Sequence, residues 1–522
     1  MKRRLLVASA FLLSLSPFVN GQEVMDAYKL SQTELTGTAR SMSMGGAFGA
    51  LGGDVSAIAI NPAGIGVYKS SEIVTTLNFQ NIETKTSGPT RAGVDTKKFN
   101  VNFNNLAFVT SFPLYSDVVP AFNIGFSYNR LQSFDRKYST AFGDMNRSMA
   151  DYITDRTNRI GLSESQIKNG SWEDTDWLAL VGYEGFLINP SANGKDFKPT
   201  IPGMDIANMM RVREKGSVNS YDFNMGMTID DILSVGMTVA VTDLDYRMSS
   251  YYFEHVYSGD NMGEFDLVND QKTEGTGWQL GLGVIFKPID ELRIGVAYHS
   301  PTWYNMTQYS SVYYWHGFQN IIQDMNVPDK TKEEYDKLPE DFGTDAGGRY
   351  DYKMRTPDKW VFSLAGVLGG NAILSLDYEL IDYKKTKYNE RDSYYSGNGF
   401  DPVNEDIKAQ HRLSSTLRLG GEYRFTPQFS GRVGYQWQQS PYEDLDPGKI
   451  IHTAGSVTHY IHSGDKQYIT WGLGYRFTKN FYTDVAFVYR TQDSDLYFFN
   501  TAEKIDLKEN SFQGALTLGF RF

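Results

Sequence analysis

Few residues of this 522-residue chain have the types and spacing that catalysis requires. The sequence contains no Gly-x-Ser-x-Gly elbow, no His-Glu-x-x-His motif and no glycine loop ending in Gly-Lys-Ser or Gly-Lys-Thr. Asp377 and Glu379 form the one pair of carboxylates that suggests acid–base chemistry, but pairing with neighbouring arginines explains them more simply. We therefore expect no catalytic residues, no cofactor and no enzymatic activity.

Three of the seven histidines cluster in one segment near the C-terminus. His452, His459 and His462 would suit a metal ion or a haem, because imidazole is a common ligand of both. A solvated outer loop explains the same three residues without any ligand. We therefore predict no metal site.

The start of the chain has the three parts of a secretory signal. Lys2, Arg3 and Arg4 form the basic end, residues 5–15 form the apolar run, and Gly21 is small enough to precede a cleavage site. The alternative is a membrane anchor, for which the apolar run is too short. We expect residues 1–21 to be a signal peptide.

Composition and charge narrow the class of protein that follows this leader. Beyond it no run of about 18 apolar residues remains, which excludes spanning by helices and leaves a soluble secreted protein or a membrane β-barrel. The content of 34 Tyr, 32 Phe and 49 Gly with no Cys favours the barrel. A formal net charge of −12, or −15 without the three leader cations, makes nucleic acid an unsuitable partner.

The last strand shows the pattern of a membrane barrel most clearly. Phe512, Leu516 and Phe520 alternate with Gln513 and Thr517, so one face suits lipid and the other a polar lumen. The pattern continues to Phe522, the final residue. Such a terminus resembles the signal that the outer-membrane barrel assembly machinery recognises, and we expect that machinery to be a partner.

The same alternation recurs often enough to close a barrel. It predicts fourteen strands near residues 71–82, 98–112, 118–132, 217–229, 232–247, 275–287, 290–304, 352–368, 371–384, 411–425, 428–440, 467–477, 480–491 and 510–522. Tight turns alternate with long connections, as in an up-and-down barrel with short periplasmic turns and long outer loops. We therefore predict an all-β, transmembrane antiparallel up-and-down β-barrel of about fourteen strands over residues 71–522.

The long outer loops include residues 133–216 and 305–351. The segments 136–170 and 204–214 have helical composition, so we predict that the loops are partly helical. In the second strand the alternation slips in phase at Asn104 and Asn105. An ordinary bulge would explain the slip, and a local opening in the wall is the alternative.

Between the leader and the first strand lies a small, apolar and glycine-rich stretch, residues 41–68. Asp54 suits the N-cap of a short helix ending at Ile60. The sequence Asn61-Pro62-Ala63-Gly64 fits a type I turn. We predict that residues 22–70 form a plug, or hatch, folded inside the barrel.

At these residues the chain resembles the FadL/TodX (OMPP1) family of outer-membrane transporters for long-chain fatty acids and other hydrophobic compounds. The resemblance is carried by residues 39–50, 53–57 and 61–64, by the hairpin 275–300 followed by Pro301, and by residues 371–383 and the terminal Phe522. It implies a Gram-negative outer membrane, a hatch, and a monomer in contact with outer-membrane lipids. The larger loops of this chain depart from the family and leave the cargo open.

The resemblance also implies a mechanism and its residues. Hydrophobic cargo would bind in the plugged lumen, leave when the hatch shifts, and escape sideways through the wall. We expect the hatch and its gating to depend on Gly45, Gly46, Gly53, Asp54, Asn61, Pro62, Ala63 and Gly64. Candidates for a wall kink are Asn104, Asn105 and Gly125, and candidates for holding a carboxylate head are Arg293 and Arg418.

A second function remains open at the level of sequence. A barrel of the same fold could serve as a docking or shuttle protein for secreted proteins, without transporting any small molecule. Large outer loops rich in aromatic residues would suit that role.

Overall fold

The computed structural model describes residues 24–88, 93–114, 116–145, 147–171, 175–191, 195–200, 205–258, 261–316, 341–343, 348–391, 398–443, 455–499 and 502–522. The predicted signal peptide and His452 lie outside these residues. No helix among the described residues is long and apolar enough to cross a membrane.

Strands make up most of the described chain. They are β1 (Glu72–Ser87), β2 (Val94–Pro113), β3 (Ala121–Ser133), β4 (Arg136–Met145), β5 (Ile188–Pro190), β6 (Phe197–Pro199), β7 (Asp205–Ile229), β8 (Leu233–Ser258), β9 (Asn261–Ile289), β10 (Leu292–His299), β11 (Trp303–His316), β12 (Asp341–Gly343), β13 (Gly348–Arg355), β14 (Lys359–Leu368), β15 (Ala372–Asp382), β16 (Lys387–Glu390), β17 (Leu413–Arg424), β18 (Phe429–Gln438), β19 (Tyr460–Arg476), β20 (Phe481–Tyr497) and β21 (Ile505–Arg521).

Short helices occupy the N-terminal segment and the outer connections. They are α1 (Val24–Lys29), α2 (Ala39–Ser43), α3 (Val55–Ile60), α4 (Met149–Ile160), α5 (Glu164–Lys168), α6 (Trp177–Glu184), α7 (Asp401–Gln410) and the 3₁₀ helices Pro62–Val67 and Tyr383–Lys385.

Fourteen strands close into one antiparallel barrel, as the alternation predicts. They are β1, β2, β3, β7, β8, β9, β10, β14, β15, β17, β18, β19, β20 and β21. The barrel closes where β1 pairs with β21, from Glu72 opposite Arg521 to Ser87 opposite Asp506. Closure leaves no free sheet edge at this junction. A strand in lipid requires such pairing, because its backbone groups cannot form hydrogen bonds with water there.

The two faces of each strand divide as the sequence predicts. On β21, Phe512 and Phe520 are each 45% exposed on the outside, while Gln513 and Thr517 are buried in the lumen. The tight turns at Asp230-Asp231 and Gly369-Gly370 each place two consecutive residues at positive φ, which is the geometry of a type I′ hairpin.

Several outer segments differ from the prediction of helix. Residues 136–145 form β4, and residues 205–214 form the beginning of β7, so the helices among the described residues of that connection are α4, α5 and α6. Strands β7, β8 and β9 contain 25, 26 and 29 residues, well beyond the 9–11 that span a membrane. The alternating pattern does not show where the membrane-spanning part of these strands ends. Beyond the membrane, the inner face of each extension packs on the helices of the outer connections and is therefore also buried.

Two predicted strands are interrupted. The predicted strand 290–304 divides at Ser300–Thr302 into β10 and β11, and the predicted strand 352–368 divides at Thr356–Asp358 into β13 and β14. Pro301 and Pro357 lie at the breaks. Proline cannot donate to a strand ladder, which explains why the pairing stops there.

A packed cap covers the outer end of the barrel. Helix α6 is mostly apolar, and Trp177, Leu178 and Leu180 are each at most 3% exposed. They pack in one apolar cluster with Phe498 and Phe499 from the end of β20 and with the inner faces of the extended strands. The described part of the cap therefore packs over the lumen from outside.

Candidate functional site: a hatch-filled lumen

The N-terminal segment lies inside the barrel, with nearly every side chain buried. Helix α2 contacts β18 to β21, and the 3₁₀ helix Pro62–Val67 contacts β7, β8 and β9 on the other side of the lumen. Met42, Met44 and Phe48 are fully buried. The segment thus spans the lumen from wall to wall.

Asn61 organises the turn at the centre of the hatch. Its Oδ1 accepts from the Ala63 N–H at 3.1 Å and so caps the 3₁₀ helix. Its Nδ2 donates to the Gly49 carbonyl at 2.7 Å and to the Val284 carbonyl of β9 at 3.2 Å. One amide therefore joins two parts of the hatch to each other and to the wall.

Glycines on the inner face of the wall make room for this turn. A methyl group on Gly283 would overlap Asn61 Oδ1, and one on Gly236 would overlap the Pro62 carbonyl. Contact with the hatch thus explains these glycines of β8 and β9, since a side chain there would push the hatch away.

The other predicted hatch residues also lie at close contacts. Asp54 caps α3 by accepting from the Ser56 N–H and accepts a hydrogen bond from the Thr38 hydroxyl, both at 2.9 Å. Gly45 has a φ of 64°, and a methyl group there would lie 2.9 Å from the Tyr435 carbonyl of β18. Gly46 and Gly53 have positive φ as well, and Ala63 and Gly64 are buried.

The wall also holds the hatch by charge. Asp377 Oδ2 accepts from the Phe48 and Gly49 N–H groups, each at 2.9 Å. Arg40 of α2 binds Glu422 through two hydrogen bonds, at 2.9 and 3.1 Å. Asp377 therefore anchors hatch backbone, which supports a structural rather than a catalytic reading of this carboxylate.

The two arginines predicted to hold a ligand head lie apart. Arg418 donates to Glu379 at 3.1 Å, beside the hatch. Arg293 donates to the Leu51 carbonyl at 2.5 Å, on the side of the short turns. Each therefore contacts the wall or the hatch, and their role with a ligand stays a prediction.

Between hatch and cap lies a chamber lined by paired charges that the sequence did not single out. Arg490 donates to Glu34 at 3.0 Å and also binds Glu509. Lys29 lies 3.6 Å from Glu214, which also binds Arg136. Arg136 and Glu214 were missed because they fell in a predicted loop, although β4 and β7 turn both inward.

The chamber is small in this structure. Its volume is about 70 Å³, whereas small-molecule sites in proteins have roughly 300–1,000 Å³. Tyr28, Tyr246 and Phe134 line it together with the ion pairs. A chamber of this size is too small for a typical small-molecule ligand.

The wall has a seam between β2 and β3. These strands pair only from Asn105 opposite Asn129 to Pro113 opposite Ala121, so within the described residues Val94–Asn104 pairs with β1 alone. Register against β1 shifts at Asn104, which is the bulge that the sequence predicts. Gly125 pairs regularly on both sides, so β3 has no break at that position.

The hatch covers this seam from inside. The Glu34 N–H donates to the Leu131 carbonyl at 3.0 Å, and the Thr36 hydroxyl donates to the Arg130 carbonyl at 2.7 Å. Asn104 Nδ2 lies 3.4 Å from the Gly37 carbonyl. Residues 34–37 thus occupy the edge of β3 that β2 leaves open.

The described histidines lie in structured surroundings rather than in a solvated loop. His459 is 7% exposed and packs edge-on against Tyr138, and His462 lies in β19 with Nε2 at 3.1 Å from the Glu443 carbonyl. Among the described residues, no group of three or more His, Cys, Asp and Glu side chains is arranged to hold a metal ion.

Comparison with known proteins agrees with this architecture. Residues 186–517, more than half of the chain, match the sequence model of the family described as outer membrane protein transport protein (OMPP1/FadL/TodX). The crystal structure of a Pseudomonas aeruginosa FadL homologue matches 94% of this chain and 100% of its own at 13% identity, with a TM-score of 0.54. The Pseudomonas putida toluene transporter TodX matches 94% of this chain and 99% of its own at 12% identity, with a TM-score of 0.48.

No curated protein sequence matches the chain. The family consists of outer-membrane transport proteins of Gram-negative bacteria and not of enzymes, so the barrel described above lies in that membrane. The match over residues 186–517 and the closed fourteen-strand barrel with helices in its lumen lead to one assignment: the chain belongs to the OMPP1/FadL/TodX family of outer-membrane transport proteins.

Proposed function

We propose that the protein transports hydrophobic small molecules that carry a polar head, such as long-chain fatty acids, across the outer membrane. Family membership supports transport of hydrophobic compounds. The charged and tyrosine-rich lining of the chamber supports an amphipathic cargo over a pure hydrocarbon, because burying those groups against hydrocarbon alone would be costly.

The observation that supports a lateral route for the cargo is the seam between β2 and β3, which residues 34–37 of the hatch cover. Cargo enters through the cap and binds above the hatch, where the chamber widens as the hatch moves. When residues 34–37 leave the edge of β3, the open seam releases the cargo sideways into the membrane. An apolar solute gains about 25 cal/mol per Å² by avoiding water on this route.

A cross-link tests the route. Arg130 Nη1 of β3 donates to Asn102 Oδ1 of β2 at 2.6 Å, so the two side chains already bridge the seam. The chain has no Cys, so Asn102→Cys with Arg130→Cys can be joined by a short bis-methanethiosulfonate, which forms a reducible disulfide with each cysteine and releases methanesulfinate. We expect cells expressing the joined protein to lose uptake of a fluorescent fatty acid and to regain it after reduction.

The matched control joins two residues that the structure already pairs. Ala107→Cys and Ser127→Cys lie opposite each other in β2 and β3, so their cross-link restrains no opening. Equal loss of uptake in both cross-linked proteins, or none in either, would contradict lateral release at the seam.

The predicted head-group role of Arg293 and Arg418 has its own test. If either holds the carboxylate, Arg293→Ala or Arg418→Ala weakens fatty-acid binding to the purified protein. Unchanged affinity in both variants would rule out a head-group role for these two arginines. In the docking alternative, the purified protein would retain secreted proteins and no lipid, and the seam cross-link would leave that retention unchanged.

A further inference from the structure

Below the hatch, on the side of the short turns, lies a second cavity of about 290 Å³. We call it the periplasmic vestibule and define it by its six arginines, Arg40, Arg293, Arg424, Arg432, Arg476 and Arg521. Three carboxylates, Asp54, Glu422 and Asp484, share the lining. The vestibule therefore has an excess of positive charge, whereas the whole chain has a formal net charge of −12.

Part of this charge is neutralised inside the wall. Arg432 donates to Glu422 and to Asp484, each at 2.6 Å, and Arg40 completes the chain through Glu422. Arg521 donates to Glu72 at 2.8 Å. These pairs are buried or half-buried, and they hold the hatch and the barrel closure together.

The remaining arginines have no such partner. Within the described residues, Arg424 of β17 and Arg476 of β19 form no ion pair, and both side chains are exposed at the mouth of the vestibule. Arg293 binds only the Leu51 carbonyl, and its Nε is buried without a hydrogen-bond partner. Three guanidinium groups thus line one concave space. Among the described residues, Asp54 is the one carboxylate of its lining that forms no ion pair, although Arg40 attracts it.

The wall brings Arg424 and Arg476 towards the same space. Strand β18 lies between their strands, and Arg424 lies opposite Ser430, which in turn lies opposite Gly474. Gly474 has no side chain, and the guanidinium of Arg432 occupies the space above it. Arg424 and Arg476 therefore line the vestibule from the strands on either side of β18.

We infer that the periplasmic vestibule binds an oxyanion, either a carboxylate or a phosphate group, between Arg293, Arg424 and Arg476. A guanidinium stays charged at every physiological pH and presents a planar fork of donors that matches these two anions. A concave site with low-dielectric walls strengthens the attraction. The unpartnered donors of three arginines are then satisfied by one ligand.

The anion has two sources, free phosphate and the head of an amphiphile. Titration calorimetry distinguishes them, with the purified full-length mature protein in neutral detergent. Sodium phosphate, acetate and decanoate are the probes. Decanoate binding that is at least tenfold tighter than acetate binding, and that Arg424→Gln with Arg476→Gln weakens, identifies the head of an amphiphile as the source. Equal affinity for the two carboxylates, with phosphate tighter than either, identifies a free anion.

Substitution shows whether the vestibule is the site. We expect Arg424→Gln with Arg476→Gln to weaken phosphate binding at least tenfold, and both residues are exposed and unpaired, so the fold is retained. The control is Arg211→Gln with Arg213→Gln, which removes the same charge from the outer face of β7. Absence of phosphate binding in the native protein, or equal weakening in both double variants, would overturn the inference.

The proposed anion site in the vestibule and the proposed lateral release can be contradicted independently of each other. The seam cross-link measures lateral release and does not involve these arginines, whereas calorimetry measures binding without any transport. A negative result in one of these experiments therefore does not contradict the proposal that the other one tests.

Discussion

The glycines of the barrel wall decide, residue by residue, how closely the hatch approaches it. Gly283 leaves the space that Asn61 Oδ1 fills, and Asn61 in turn holds the Gly49 and Val284 carbonyls. This contact gives a physical reason for a glycine in the middle of a membrane strand, where it otherwise weakens the pairing.

Replacement of one wall glycine tests this contact. We expect Gly283→Ala to displace the hatch at a cost of about 1–3 kcal/mol, because the new methyl group overlaps Asn61. Ion conductance in planar bilayers and protease access to the hatch should both rise. Gly514→Ala is the matched control, since a methyl group there meets nothing within 4 Å. Unchanged conductance in Gly283→Ala would contradict the close contact.

Among the elements, helix α4 joins the cap to the barrel through one buried carboxyl group. Glu254 of β8 accepts from the Met149 N–H at 3.1 Å, from the Tyr252 hydroxyl at 2.5 Å and from the Ser148 hydroxyl. Burial is the largest influence and raises the pKa of Glu254 from 4.5 to about 7. Asp151 raises the pKa further, while the three donors oppose the rise.

This carboxyl makes the cap sensitive to pH. Because the folded cap binds the proton more tightly than the unfolded chain, its stabilising contribution is full below about pH 4.5 and is lost as the pH rises to about 7. The loss amounts to roughly 3 kcal/mol at 1.36 kcal/mol per pKa unit. We expect amide exchange in α4, corrected for its intrinsic pH dependence, to accelerate between pH 5 and pH 8.

Glu254→Gln supplies the control for that experiment. The amide keeps the hydrogen-bond acceptor without a charge, so exchange in α4 should no longer change with pH beyond the intrinsic correction. A pH dependence that persists in the variant would assign the effect to another group.

For the whole molecule, closure depends on the hatch and the cap together. We expect a protein without residues 22–68 to assemble in the membrane, because the fourteen-strand barrel closes through β1 and β21 outside that segment. Removal of the hatch should raise its ion conductance in planar bilayers well above that of the intact protein. A deletion variant as tight to ions as the intact protein would show that the cap alone seals the lumen.

Much of the architecture followed from period-2 alternation, because each membrane strand must turn apolar side chains to lipid and polar ones to the lumen. The count of fourteen, the tight turns, the bulge at Asn104 and the cap on α3 by Asp54 were all predictable from local pattern. The outer extensions were not, because β4 and the start of β7 have a mixed composition whose strand pairing depends on the partner across the sheet.

The sequence by itself therefore determined the barrel and the short structured turns of the hatch, since these depend on neighbouring residues. Only the tertiary structure decided which charges meet, because Arg40, Glu422 and Arg432 come from distant parts of the chain. It also decided that residues 34–37 cover the seam between β2 and β3, and that three arginines of the vestibule form no ion pair with any residue that the structure describes. Those contacts depend on how a closed wall folds around its own N-terminus, which no local pattern encodes.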